Sequence, residues 1–233
     1  MIDAPLGPLL AGAVEPGGSS IEPGGICLLE MGDAERRARE TTELEELLGA
    51  RFVDDEPSDL LDALESQLDA YFSGRRRSFD LPLVTPGTRF QHEVWNAMRS
   101  IPFGHTVSYG ELARTIGREP TSARAVGAAS GRNRVSILIP CHRVVDLAYN
   151  ASLGGLAGLR GYGGGIENKQ RLLQHERLVV GGAGLFEQML GGVVSERADQ
   201  ASADSKEKHP CRSVMTGEGA EFGVGVGESD PAG

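Results

Sequence analysis

The sequence predicts an α+β fold in two parts, a small strand-and-helix domain over residues 1–86 and a mainly helical domain over 87–180. Three observations predict it. Short apolar runs of strand length, separated by Gly and Pro, occupy the first third of the chain. A strongly amphipathic helical stretch follows them at 58–72. The middle then holds a succession of capped helical segments about a Gly-containing turn. At 233 residues, 39% hydrophobic and 24% charged, the chain has the size and composition of a soluble protein with one or two domains.

Taken in order, residues 1–25 carry PLGPLLAGA and EPGGSSIEPGG, which read as turns with one short strand near Leu9–Ala13. Ile26–Met31 (ICLLEM) has strand length. Ala34–Leu48 is charged, with leucines at Leu44, Leu47 and Leu48, and reads as a surface helix. Arg51–Val53 is a further strand. Ser58–Phe72 places Leu60, Leu61, Leu64, Leu68, Tyr71 and Phe72 on one side of a helix, with Ser58 as N-cap and Gly74 as stop. Phe79–Val84 reads as a strand ending before Pro86.

In the second part, Thr88–Ser100 carries Phe90, Val94, Trp95 and Met98 at helical spacing, and IPFG at 101–104 breaks it. Ser108–Ile116 begins with a capping box, Ser108 and Glu111. After the turn Gly117–Pro120, Thr121–Ser130 forms a second short helix, so the pair has the outline of a helix-turn-helix. Ser136–Ile139 (SILI) reads as an apolar strand running into Pro140-Cys141-His142-Arg143. A glycine-rich loop spans 152–165, and Gln170–Glu176 is helical. Phe90, Trp95, Phe103 and Leu112 read as core. From Gly181 onward Gly, Ser, Ala, Glu and Asp dominate, so the acidic tail 181–233 is expected to be disordered, apart from one helical turn at Leu185–Leu190.

Net charge is −10, an odd balance for a nucleic-acid binder, yet its distribution is uneven. Residues 87–177 hold 12 Lys/Arg against 6 Asp/Glu, whereas 1–86 hold 7 against 18 and 178–233 hold 4 against 9. A basic middle between acidic flanks suits a module that faces DNA. No apolar run has the length of a membrane span, and the first twenty residues lack a basic start and a long apolar stretch, so neither membrane anchoring nor a secretory signal is expected. Three cysteines without a CxxC pair point to a reducing interior, the cytoplasm.

The cysteines differ in setting. Cys27 lies inside ICLLEM and reads as a small buried hydrophobe, and Cys211 in HPCRSV reads as incidental. Cys141 follows an apolar run and sits beside His142 and Arg143, a cationic neighbourhood expected to favour thiolate. A thiolate nucleophile needs a base and a group to orient that base. His142 is the nearest base. Adjacent side chains on extended backbone point apart, so a turn or a bridging water must join the two. Glu176 is a candidate orienter.

The ordered series GTRFQHEVW, IPFGHTVSYGELA, ARAVGAASGRN, ILIPCHRVV and GYGGGIENKQRLLQHE, from Gly87 to Glu176, resembles the O6-alkylguanine-DNA alkyltransferases, also called methylated-DNA–protein-cysteine methyltransferases. PCHRV is the most specific part, and residues 1–86 are similar to the family's less constrained N-terminal domain, which the resemblance makes ribonuclease H-like. The resemblance implies a suicide transferase that moves the alkyl group of O6-alkylguanine in double-stranded DNA onto Cys141 in a single turnover, with O4-alkylthymine an open second substrate. His142 takes the thiol proton through a water and Glu176 polarises His142. Tyr109 serves the departing guanine. Arg124 fills the hole left by the flipped base, and Ala125, Gly127, Ala128 and Ala129 permit close approach to the minor groove. Asn133 ties the recognition helix to the active-site strand. Pro140, Val144, Tyr162 and Gly163 grip the base. No cofactor is implied, and the protein is expected to act as a monomer. Some relatives carry a structural zinc, but only Cys27 precedes His92 here, so no metal is expected.

The chain departs from the family pattern at three places. Arg134 follows Asn133 where Pro is usual, the turn Gly117–Pro120 is one residue longer than in many members, and the segment 145–160 between Val144 and Gly161 is longer than usual. Two other function classes compete with alkyl transfer. A non-catalytic lesion-binding protein of the alkyltransferase-like kind would lack the acceptor cysteine. In a Cys–His hydrolase, the helix-turn-helix and Arg124 would have no purpose.

Overall fold

The computed structural model describes residues 1–16, 23–54, 56–149, 159, 161–182 and 213–216. Its N-terminal half contains β1 (Leu10–Val14), β2 (Gly25–Glu30), α1 (Ala34–Leu48), β3 (Arg51–Asp54) and α2 (Asp59–Phe72). Then come α3 (Arg89–Arg99), β4 (Val107–Ser108), α4 (Tyr109–Thr115), α5 (Ala123–Gly131), β5 (Val144–Val145), α6 (Ile166–Val180) and β6 (Ser213–Thr216). Single 3-10 turns at Pro120–Ser122 and Cys141–Arg143 complete the described elements.

Local chemistry accounts for most helix starts. Ser58 accepts from the Leu61 amide at the head of α2. Thr88 with Gln91, and Ser108 with Glu111, form reciprocal capping boxes at the heads of α3 and α4. Gly49 ends α1 in the left-handed conformation. The α2 stripe Leu61, Leu64, Leu68, Tyr71 and Phe72 is buried. It joins Ile26 and Leu29 of β2 in a core that runs on into Val94, Trp95, Met98, Leu112, Val126, Val135 and Leu172. One apolar core therefore crosses the expected boundary at 86/87.

Two segments differ from the sequence reading. Phe79–Val84 is not a strand. It makes one bridge, Ile26 with Leu83, flanked by hydrogen bonds from the Ile26 amide to the Pro82 carbonyl and from the Val84 amide to the Ile26 carbonyl. Pro82 has no N–H to extend a ladder. The sheet order is β2-β1-β6-β3, so a strand from within the tail expected to be disordered lies between β1, parallel to it, and β3, antiparallel to it. Met215 of β6 buries its side chain against Val14, Cys27, Leu28 and Leu44. The remainder of 183–233, including the helical turn expected at Leu185–Leu190, lies outside the described residues.

Candidate active site

The site is assembled at the seam between the two halves. SILI, expected as a strand, is a tight turn. The Leu138 amide donates to the Ser136 carbonyl and the Ile139 amide to the Val135 carbonyl. Ile137 sits at φ 72°, which a β-branched residue adopts only under constraint. Two anchors impose it. The hinge backbone pairs with β2, the Leu29 amide donating to the Arg134 carbonyl and the Ser136 amide to the Leu29 carbonyl. Asn133, just past α5, is buried, and its Nδ2 donates to the Ile139 carbonyl (2.8 Å) and reaches Cys141 Sγ (3.3 Å) while its Oδ1 accepts from the Val135 amide (3.0 Å). Arg134, at the usual Pro position, pairs with Glu40 and Glu43 of α1.

The Cys141–Arg143 turn rotates the next side chains inward. His142 is fully buried, and its Nε2 lies 2.8 Å from Glu176 Oε1. Its Nδ1 has no hydrogen-bond partner among the described residues. Glu176, also fully buried, accepts in addition from Tyr71 Oη (2.9 Å), the Gly104 amide (2.8 Å) and the Arg143 guanidinium (2.9–3.2 Å). Burial would raise the Glu176 pKa, but His142 and Arg143 together outweigh it and hold the carboxyl well below its usual range. Burial lowers the His142 pKa despite Glu176, so the imidazole is neutral at neutral pH and free to accept a proton.

The expected cationic help to Cys141 takes a different form. Arg143 turns away, donating to Glu176 and to the Ile101 carbonyl (2.7 Å). Lys169, whose Nζ is buried and donates to the Val144 carbonyl (2.6 Å), acts on the thiol, as does Arg36. Burial brings the Lys169 pKa down to about 8. Burial also raises the Cys141 pKa, outweighing the Asn133 hydrogen bond and Lys169, so the buried setting works against the thiolate that the neighbouring cations were expected to favour.

Parallel pairing of β4 with β5 sets Tyr109, the first residue of α4, beside this turn. Burial, then Cys141 and Asp146, push the Tyr109 hydroxyl up to about 12, so it remains a donor. Tyr109, Arg124, Gly127 and Gly161 line a cleft of about 700 Å³. On α5, Arg124, Ala125 and Ala128 are exposed while Val126, Ala129 and Ser130 are buried, giving a small-residue outer face. Trp95 Nε1 fixes α5 to α3 through the Ala129 carbonyl (3.0 Å).

Of the base-gripping residues suggested by the resemblance, Val144 and Tyr162 share a buried cluster with Cys141. Pro140 lines a separate cavity of about 240 Å³ with Arg143 and Ile101. Val144 faces Lys169 through its carbonyl, and Tyr162 is buried. Gly163 lies under the Arg36 guanidinium, so close that a Cβ there would meet Nη2 at 2.4 Å. Tyr71 and Lys169 are site residues that the sequence reading gave no role. Their signals were a hydroxyl on an apolar helix stripe and a lysine one turn before a leucine pair.

The family pattern for the 6-O-methylguanine DNA methyltransferase DNA-binding domain matches residues 89–178. The methylated-DNA–protein-cysteine methyltransferase of Mycolicibacterium paratuberculosis is 49% identical over 111 residues, 48% of this chain and 62% of the relative. That of Methanosarcina acetivorans is 46% identical over 110 residues, 47% and 65% respectively. The chain thus spans less than two thirds of the length of these curated relatives. Among solved structures, a single-residue variant of Mycobacterium tuberculosis OGT superposes with TM-score 0.55 at 36% identity, covering 76% of this chain and 90% of that one. The same organism's OGT in complex with DNA superposes with TM-score 0.55 at 32% identity, covering 81% and 96%.

Proposed function

The chain belongs to the 6-O-methylguanine DNA methyltransferase family, and from that premise we propose that it repairs O6-alkylguanine in double-stranded DNA by moving the alkyl group irreversibly to Cys141. The observation that carries the reading is the buried relay. Cys141 Sγ is held by Asn133, and the neighbouring neutral His142 is held by a fourfold-anchored Glu176.

In this reading the lesion is flipped out of the minor groove into the cleft beside Tyr109, with Arg124 taking its place in the stack. The Sγ proton passes through a water to His142 Nδ1, and Glu176 stabilises the imidazolium. The thiolate attacks the alkyl carbon, the S–C bond forms and the C–O6 bond breaks, and the electron pair leaves on guanine. The Tyr109 hydroxyl protonates or hydrogen-bonds the departing base. A thioether is no leaving group, so each molecule reacts once. The protein acts as a monomer in the cytoplasm, and no helix among the described residues is long and apolar enough to cross a membrane.

The test is the intact mass of the protein after incubation with a duplex containing O6-methylguanine. One added methylene per molecule, mapped to the Cys141 peptide and absent from Cys141→Ala, is the expected result, with lesion binding retained in the variant. Unchanged mass with binding intact would replace this reading with that of a lesion sensor.

A further inference from the structure

The described part of the lengthened segment after the nucleophile turn has a definite shape. The Tyr149 amide donates to the Asp146 carbonyl (3.0 Å), closing a turn over residues 146–149, and Asp146 Oδ1 accepts from the Ala148 amide (3.2 Å). Val145 before the turn and Tyr149 at its end pack with Leu159 and Leu173 in a small apolar cluster. Leu147, between them, does not. It is 84% exposed, and it lines the same cleft as Tyr109, Arg124, Gly127 and Gly161.

A lone exposed leucine is ordinary on a protein surface. This one is held at the tip of a braced turn whose apolar neighbours are anchored inward, and it faces the cleft that also holds the cationic side chains Arg114 and Arg124. Asp146 also lines this cleft, with Oδ1 accepting from the Ala148 amide inside the turn, so the two guanidinium groups outnumber the carboxylate there. The surface therefore offers guanidinium groups for phosphates beside an apolar side chain at the tip of a hydrogen-bonded turn, the combination that proteins use to enter a minor groove and unstack a base step.

Resting on the reading of the cleft as the lesion site, we infer that Leu147 is a second DNA-contacting residue, an apolar wedge that presses into the base step beside the flipped nucleotide and works with Arg124 to hold the stack open. Desolvating a leucine side chain against bases is worth roughly a tenfold change in binding or rate.

The test compares full-length wild type with Leu147→Ala and Leu147→Met on a duplex carrying O6-methylguanine next to 2-aminopurine. The expected result for Leu147→Ala is lesion-duplex binding about tenfold weaker, a reduced 2-aminopurine signal and slower transfer from duplex. Reaction with free O6-methylguanine base and thermal stability stay at wild-type values, and Leu147→Met restores most of the loss. Wild-type binding and fluorescence in Leu147→Ala would overturn the inference, as would equal losses on duplex and free base. The binding and fluorescence arms need no chemistry, so a wild-type protein that binds the lesion without taking up the alkyl group would refute alkyl transfer and still decide the role of Leu147.

Discussion

Tyr71→Phe isolates the contribution of α2 to the buried His142–Glu176–Arg143 cluster. Tyr71 is fully buried on α2, and its hydroxyl donates to the Glu176 oxygen that also contacts His142. Phenylalanine preserves the ring packing against Phe72, Phe79, Phe103 and His175, so the change removes one hydrogen bond to a buried carboxylate and little else. Such bonds are worth about 1.5–3 kcal/mol. Arg143 and the Gly104 amide still satisfy Glu176, which places the loss near the low end, about 1.5–2 kcal/mol. For a protein of this size that lowers Tm by about 3–8 °C. Thermal unfolding followed by circular dichroism measures it, and alkyl transfer assayed well below the transition is expected to stay close to wild type, because Arg143 keeps the carboxylate ionised. A Tm unchanged within about 1 °C would refute the claim that the two halves are coupled through this hydroxyl.

Other perturbations test the remaining parts of the site. Asn133→Ala strips the hydrogen bonds that shape the nucleophile turn, so a stability loss of about 3 kcal/mol and slower iodoacetamide modification of Cys141 are expected, by calorimetry and peptide mass mapping. Arg124→Ala is expected to weaken repair of duplex far more than reaction with the free base, and equal loss on both in a single-turnover assay would reject the finger role. Acid should destabilise the fold in two stages. The His142 pKa is lowered from 6.5, so the folded state binds fewer protons than the unfolded chain and stability falls as pH drops below 6.5. Glu176, held below 4.5, contributes fully above 4.5, and that contribution is lost as pH falls further. Glu176→Gln should cost about 3–5 kcal/mol near neutrality and flatten the lower stage of a Tm-against-pH curve.

Much of this architecture is written locally. The α2 stripe, the Ser58 cap and the Ser108–Glu111 box each involve residues within one or two turns of each other, and the structure contains all three. SILI misleads because three consecutive apolar residues have no period, and the left-handed Ile137 is imposed by Asn133 and β2 from outside the run. Arg143 reads as a partner of Cys141 by proximity in sequence, yet its nearest carboxylate, Glu176, arrives from α6 and turns the guanidinium away. Lys169 and Tyr71 were invisible as site residues for the same reason: their roles come from elements that meet only in the folded chain. β6 escapes notice because SVMT is brief and sits in a run of Gly, Ser and Glu.

That strand also dictates an order of events. Gly12 and Ala13 of β1 pair with Ser213 and Val214, close to two hundred residues further on, and β3 reaches the sheet only through β6. On the ribosome, then, β1 and β3 emerge well before the strand that joins them. Until the chain has grown past residue 216, β3 lacks its one strand partner among the described residues and the hydrophobic contacts of Met215 are missing. Contacts so distant in sequence form slowly. During vectorial synthesis the shared core can therefore assemble before this sheet is closed behind it.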